Sequence, residues 1–541
     1  MKAFSLGLIV LFFAVLCLLI IPNIACDDDD DDDNDNDNDD TTPADDDNDD
    51  NDTSDDDTGD DDTGDDDTAG DDDTAGDDDT AGDDDVTPDD YVAPWPQTNI
   101  EPRDYDESGE AGQLRDKAGD YDDWHLTWHQ PDHGSCVHCY FADDTYAEVT
   151  GYHGAGDSTI WTGTYLGAQA MRYWVTGDEQ AKQNAIAKVV TLDGHLHVTG
   201  RPGFISRFWG SQDMLPYHGG DTWCDNNDRC HKVDSGPYAG DFWFGETSRD
   251  QYTGWFYGMA VGYDLIDDEP TREIIRDDVT EVLDTLIADF WFILDEEGLP
   301  TDAAPHVLPP MRLSWLAIGY HITGEERFKT ELQAWLRDSA RLSIRVNTIA
   351  TFNRYAQYFG NNLAHENWYN VLRLGRVYFS EDDYNFLLNV FETQVHTFTR
   401  LSHNPWFAGI FIGAGDYTPG KDDEYQAQVV EDLTDFRDAP LAEYYVPERD
   451  PSTYTLDPLS VFFHDLQVQF PFLGDLMGDI YYQANEPVTV DLQCPAGFMF
   501  QWNPYNIREC GSDTPTKVHS GHDFLAAYWI NSYHKAITKE D

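Results

Sequence analysis

Four octapeptides in the chain align without gaps: RYWVTGDE (172–179), GYDLIDDE (262–269), GYHITGEE (319–326) and RVYFSEDD (376–383). Each closes an apolar stretch, turns, and opens the next segment on carboxylates, which suit the positive end of a helix dipole. The second, third and fourth copies follow one another at 57 residues, and a fixed period of this size means stacked supersecondary units. The first interval is 90 residues, which places an insertion between 200 and 247. The chain is thereby restricted to a repeated helical hairpin.

The segments entering the turns, such as IWTGTYLGAQAMRYWV and YTGWFYGMAVGYDLI, are apolar nearly all round and read as inner helices buried on every side. Those leaving the turns, such as EERFKTELQAWLRDSARL and TREIIRDDVTEVLDTLIADFW, are amphipathic and read as outer helices. The first two inner helices share Thr-Gly-x-x-x-Gly (Thr162, Gly163, Gly167 and Thr253, Gly254, Gly258), which lets neighbouring backbones approach closely. Further inner helices are expected to begin near Pro310, Asn361, Asn404 and His522. Residues 440–520 carry no such rhythm and read as irregular chain with short strands.

Six inner helices paired with outer ones predict an all-α fold, an (α/α)6 toroid, and over residues 150–541 the chain resembles the six-hairpin glycosidase superfamily. The resemblance lies in architecture and hairpin rhythm. It implies a carbohydrate-active domain over residues 96–541, with a Cys/His-rich lead-in before the first hairpin.

The preceding residues are of another kind. Residues 1–25 place Lys2 before an apolar run and end at Ile24-Ala25-Cys26, the order of an export signal. The segment resembles a bacterial lipoprotein signal, which implies lipidation of Cys26 and a membrane anchor in the cell envelope. Ordinary signal-peptidase cleavage and an uncleaved anchor remain open, since about 18 apolar residues can just span a bilayer. Residues 26–95 are dominated by Asp and, with almost nothing to bury, are expected to be a disordered tether. That tract holds 37 of the Asp residues; the remainder still carries 30 basic against 70 acidic side chains. A surface this acidic repels phosphate backbones and excludes nucleic acid as a partner.

Of the eight cysteines, Cys17 and Cys26 belong to the signal. The rest fall into local pairs, Cys136 with Cys139, Cys224 with Cys230 and Cys494 with Cys510, which in an exported chain read as disulfides. Around the first pair, His129, His133 and His138 also permit a zinc site. No cofactor is firmly implied; calcium is possible at Asp225, Asn226, Asn227 and Asp228 inside the Cys224–Cys230 loop.

The long connections between hairpins, 199–249, 293–310, 346–361 and 438–521, gather over the starts of the inner helices, where a rigid scaffold concentrates functional residues. Polar residues precede every inner helix: His153 and Asp157; Glu246, Arg249 and Asp250; His306 and Arg312; Asn361, Asn362 and His365; His403 and Asn404; His519, His522 and Asp523. Helix capping accounts for Asp, Asn and Ser at such places but does not require so much His and Arg. Trp209, Trp223, Trp243, Trp255, Trp406 and Trp502 offer faces for sugar rings, although many of the 16 tryptophans must be core. An inverting glycosidase needs two carboxyls about 6.5–9.5 Å apart. Asp157 and Asp250 are the expected pair, with His153, Arg249 and Tyr252 positioning the substrate. A uronate lyase is the alternative; FGNNLAHENW resembles the Asn-Asn-His motif of toroid lyases and would use Asn362 and His365. A non-catalytic glycan-binding protein is the third reading.

Overall fold

The computed structural model describes residues 112–216, 223–224, 227–301, 304–352, 358–418, 420–472, 481–496, 498, 500 and 502–537. The expected signal, Cys26 and the tether lie outside them, as do Asp225 and Asn226.

The described chain is predominantly helical. Its helices are α1 (Gln113–Trp128), α2 (Ser158–Thr176), α3 (Glu179–His197), α4 (Arg249–Leu265), α5 (Glu269–Ala288), α6 (Pro309–Thr323), α7 (Glu326–Trp335), α8 (Asp338–Thr351), α9 (Phe359–Tyr378), α10 (Glu381–Val390), α11 (Pro405–Ala414), α12 (Asp423–Asp435), α13 (Pro458–Gln469) and α14 (His522–Tyr533). Helix α10 runs on through a π-helical stretch, Phe391–His396, and a last turn, Thr397–Thr399. None of the described helices is long and apolar enough to cross a membrane.

The apolar helices behave as their all-round hydrophobicity predicts. In α4 every residue but Asp250 is buried, and α2 is nearly as enclosed. Helix α2 packs on α4, α4 on α6, α6 on α9, α9 on α11, α11 on α14, and α14 on α2, so the order of contacts returns to its start. Helices α3, α5, α7, α10 and α12 lie against this set, and the lead-in helix α1 joins them by packing on α14. The α2–α4 crossing is the closest: a Cβ on Gly163 would stand 2.0 Å from the Gly254 carbonyl oxygen, and one on Gly258 2.5 Å from that of Gly163. The shared Thr-Gly-x-x-x-Gly is the contact itself.

The hairpin turns carry their capping in the aligned octapeptides. Gly177 and Gly324 adopt φ of +69° and +71° to end α2 and α6, the left-handed cap that glycine takes without steric penalty. Asp178, Asp268 and Ser380 then accept backbone N–H groups of the next helices. Behind the turns, Asp264 of α4 bridges His321 of α6 and Arg373 of α9.

Two expectations needed correction. The outer segment beginning EERFKT breaks at Leu336–Arg337 into α7 and α8, so much of the expected 346–361 loop is helical. Two small antiparallel sheets also occupy the connections. One has the order β2-β1-β7-β6, from Val149–His153, His138–Phe141, Lys517–His519 and Leu441–Ala442; the other runs β3-β5-β4, from Phe208–Ser211, Asp241–Phe244 and Cys230–Lys232. With two to five residues per strand and little alternation of burial, these strands leave almost no periodic signal in sequence.

Candidate functional site

The segments leading into α2 and α4 are tied by two residues the sequence did not single out. Arg207 donates from Nε to the Glu246 carbonyl at 2.7 Å and from Nη1 to the Gly156 carbonyl at 2.9 Å. Gln251 donates to the same Gly156 oxygen at 2.9 Å and to Asp157 Oδ1 at 3.4 Å, while its own Oε1 accepts the Ile160 N–H. Asp157 and Asp250, distant in sequence, are thus carried on segments clamped to each other. Arg207 Nη1 stands 4.0 Å from Asp157 Oδ1, and Arg249 Nε 4.0 Å from Asp250 Oδ1. Side-chain exposure of 35% and 17% leaves both carboxylates accessible. Glu246 holds φ of +50°, an uncommon backbone state of the kind that clusters at functional sites.

Glu366, on α9, is the unexpected member. Its Oε1 accepts the Thr164 hydroxyl of α2 at 3.1 Å, and its Oε2 is buried with no hydrogen-bond partner among the described residues. Burial, with the Asp250 charge adding to it, pushes this carboxyl up to about 8. It is therefore a neutral acid at pH 7, within electrostatic reach of Asp250. One turn earlier, both side-chain atoms of Asn362 are buried without a partner among the described residues. Sequence reasoning passed over Glu366 because a Glu inside a helix reads as an ordinary helix former; only the packing of α9 across α2 and α4 encloses it.

Around the first sheet a set of imidazoles gathers. His138 pairs with His153 across β1 and β2, His519 ends β7, and His522 opens α14, with ring centroids 4.9, 5.2 and 6.4 Å from that of His138 for His153, His519 and His522. His125 and His129 of the lead-in complete the set, their centroids 6.1 Å apart. Backbone groups assign the tautomers: His129 donates from Nδ1 to the Val137 carbonyl, His125 from Nδ1 to the Ser520 carbonyl, and His138 accepts the Ser520 N–H on Nδ1. His519 Nε2 is held by Glu443 and His522 Nδ1 by the Ser520 hydroxyl. Burial, reinforced by the neighbouring imidazoles, lowers His129 and His522 to about 3 and His138 well below its ordinary value. His125, His129, His138 and His522 are therefore uncharged at neutral pH.

The cysteines divide. Cys224–Cys230 and Cys494–Cys510 are disulfides, with Cα separations of 5.0 and 5.7 Å. Cys136 and Cys139 are free buried thiols, contrary to the expected third bond. Three positions apart on extended chain they point to opposite faces: Cys136 Sγ meets His125 Nε2 at 3.3 Å, and Cys139 Sγ the Trp128 carbonyl at 3.1 Å. The same divergence removes the expected zinc site built on both thiols. His133 instead bonds Asp241. In the described part of the Cys224–Cys230 loop, Asn227 Oδ1 accepts the Arg229 N–H, a turn interaction.

Other expected site residues have structural work. Tyr252 donates to the Gly203 carbonyl and accepts the Ile205 N–H. Asn404 caps α11 through the Phe407 N–H, and His403 is paired with Asp432. Arg312 donates to the Val307 carbonyl and to His306 Nε2, and covers Trp335. His365 stacks on Phe407 with centroids 3.7 Å apart, bonds the Asn361 carbonyl, and is lowered by burial to about 3. Asp523 accepts the Phe524 N–H and is fully buried. Among the tryptophans, Trp223, Trp243, Trp255 and Trp406 are core residues, which corrects Trp406 as a sugar platform. Trp209 is stacked by His133, and Trp502 is covered by Arg508.

Comparison with protein-family models, with curated proteins and with solved structures finds no match.

Proposed function

We propose that this chain is an (α/α)6 toroid that acts on carbohydrate as a glycoside hydrolase, with Asp157 and Asp250 as the reacting carboxyls. The observation that carries the reading is the clamp of Arg207 and Gln251 on the segments bearing Asp157 and Asp250, with the neutral acid Glu366 behind Asp250. The closed order of contacts among α2, α4, α6, α9, α11 and α14 supports the toroid.

Hydrolysis requires one carboxyl to give a proton to the leaving oxygen and another, ionised, to activate water. A neutral Glu366 adds no second negative charge next to Asp250, which favours Asp250 as the ionised partner and base. Asp157 is then left with the acid's role. Arg249 donates to the His306 carbonyl at 3.2 Å and sets its Nε 4.0 Å from Asp250 Oδ1, which places a fixed positive charge beside the proposed base. The lyase alternative relies on His365 as base, and that ring is buried, stacked on Phe407 and, lowered to about 3, too weak a base to take an α-proton readily. The hydrolase is favoured on that ground. Export to the cell envelope, with a lipid anchor at Cys26, is part of the same proposal and is supported by the signal-like N-terminus and two disulfides.

The test is an activity screen of the chain on neutral and uronic polysaccharides, reading new reducing ends and unsaturated products, with Asp157→Asn and Asp250→Asn in parallel. New reducing ends without unsaturation, reduced at least 100-fold in either variant, are expected. Unsaturated products insensitive to both variants, or glycan binding with no turnover, would overturn the hydrolase.

A further inference from the structure

Away from the rim carboxyls, helices α3 and α5 bring together a second set of titratable groups. Asp193 and His197 stand one turn apart on α3; Asp278 and Glu281 stand three residues apart on α5. Ligand atoms of Asp193, His197 and Asp278 all lie within 4.8 Å of one another, the one such group of His, Cys, Asp or Glu among the described residues. The imidazole cluster, richer in donors, does not meet that separation.

A surface salt-bridge network accounts for part of this set. His197 Nδ1 is 3.0 Å from Asp193 Oδ1 and 2.9 Å from the Asp193 carbonyl. It does not account for Asp278, which is 3% exposed and whose Oδ2 is buried with no hydrogen-bond partner among the described residues. Burial, with the Asp193 charge beside it, pushes this carboxyl up to about 8, so at neutral pH a proton satisfies it, and a bound cation would take that proton's place.

The surroundings are arranged as ligands are. With Nδ1 turned to the Asp193 carbonyl, His197 presents Nε2 towards Glu281 Oε2 at 3.9 Å, too long for a hydrogen bond. Two atoms bound to one ion at about 2.0–2.2 Å each stand at comparable separations. Glu281 Oε1 accepts the Gly203 N–H at 2.8 Å, which orients the carboxyl and leaves Oε2 for a ligand. His197 is 40% exposed on its side chain, so the group opens to solvent.

We propose that Asp193, His197 and Asp278 bind a divalent transition cation that ties α3 to α5, with the Glu281 carboxylate held beside His197. The imidazole favours zinc over calcium or magnesium, which prefer all-oxygen sites; manganese, which the carboxylates suit, is the comparison ion. The ion is structural here, since its ligands come from two outer helices and none from Asp157 or Asp250.

The experiment strips the full chain with chelator and titrates it with zinc chloride, then manganese chloride, following heat of binding and thermal midpoint in wild type, Asp278→Asn and His197→Gln. The Asp-rich tract is present in wild type and variants alike, so the difference between them is the readout. One tight equivalent that raises the midpoint in wild type, weakened at least tenfold in His197→Gln, is expected. Equal binding in wild type and His197→Gln, or no tight equivalent in wild type with either ion, overturns the site. His197 is exposed, so its variant stays informative even if Asp278→Asn does not fold.

Discussion

Asp264 Oδ1 lies 2.6 Å from His321 Nε2, with both side chains wholly removed from solvent. The second oxygen of the same carboxylate binds Arg373, and His321 Nδ1 meets the Tyr378 hydroxyl, so α4, α6 and α9 share one buried polar network. Removing one partner of such a set strands the others. Asp264→Asn is expected to destabilise the chain by about 3–5 kcal/mol, measured by urea unfolding. A loss below about 1 kcal/mol would mean that the network contributes alignment and little stability.

The α2–α4 crossing yields a pair of opposite signs. Gly163→Ala drives a methyl group into the Gly254 carbonyl, and overpacking of this kind costs about 1–3 kcal/mol or more. Gly119, in the middle of α1, has no atom within 4 Å of an added Cβ, so Gly119→Ala should stabilise by about 0.5–1 kcal/mol through helix propensity. Thermal midpoints of the two variants should move in opposite directions.

Acid stability follows from the neutral imidazoles. His129, His195, His365 and His522 are each lowered by burial from 6.5 to about 3, so between those values the unfolded chain binds more protons than the folded one. Stability therefore falls as pH drops from about 6.5 towards 3, by up to about 1.4 kcal/mol per pH unit for each group. Asp122 and Glu366, raised to about 6 and about 8, act in the opposite sense as pH rises above the carboxylate range. His396 and His534 are lowered too, to about 4 and about 3, and Asp278 is raised to about 8, so six imidazoles against three carboxyls leave a net acid instability. Midpoints recorded from pH 7 to pH 4 should decline steadily, and a flat profile would contradict buried, uncharged imidazoles.

Glu366 gives activity a pH signature. As pH passes about 8 the carboxyl ionises beside Asp250, adding a second negative charge and lowering turnover. In Glu366→Gln that alkaline limb should vanish while activity below pH 7 stays within about tenfold of wild type. Loss of activity at every pH would instead make Glu366 a direct participant.

Thiol accounting separates the cysteine pairs. Alkylation in denaturant without reductant should label Cys136 and Cys139, whereas Cys224, Cys230, Cys494 and Cys510 should require reduction first. Peptide mass mapping reads this directly. Protection of Cys136 and Cys139 would show that they are oxidised together.

Helix existence, the apolar character of α2 and α4, the turn caps and the glycine crossing were legible in sequence because each rests on local spacing. The pairing of the six imidazoles was not, since β1, β2 and β7 are short and the last lies far along the chain from the others. Tyr252, Asn404 and Trp406 were visible as polar or aromatic residues near helix starts, but position alone does not distinguish a buried latch, a cap or a core ring from a binding group. Glu366 and Arg207 had no local signal at all.

Residue order alone therefore determined the hairpin rhythm, the acid-rich N-terminal tract and the two candidate carboxylates at helix starts, because helix period, charge repulsion and capping act over a few residues. Which groups are neutral, which thiols stay free, and how Asp157 and Asp250 are clamped together were decided by tertiary structure, because burial and partnership depend on neighbours beyond the reach of helix period and capping.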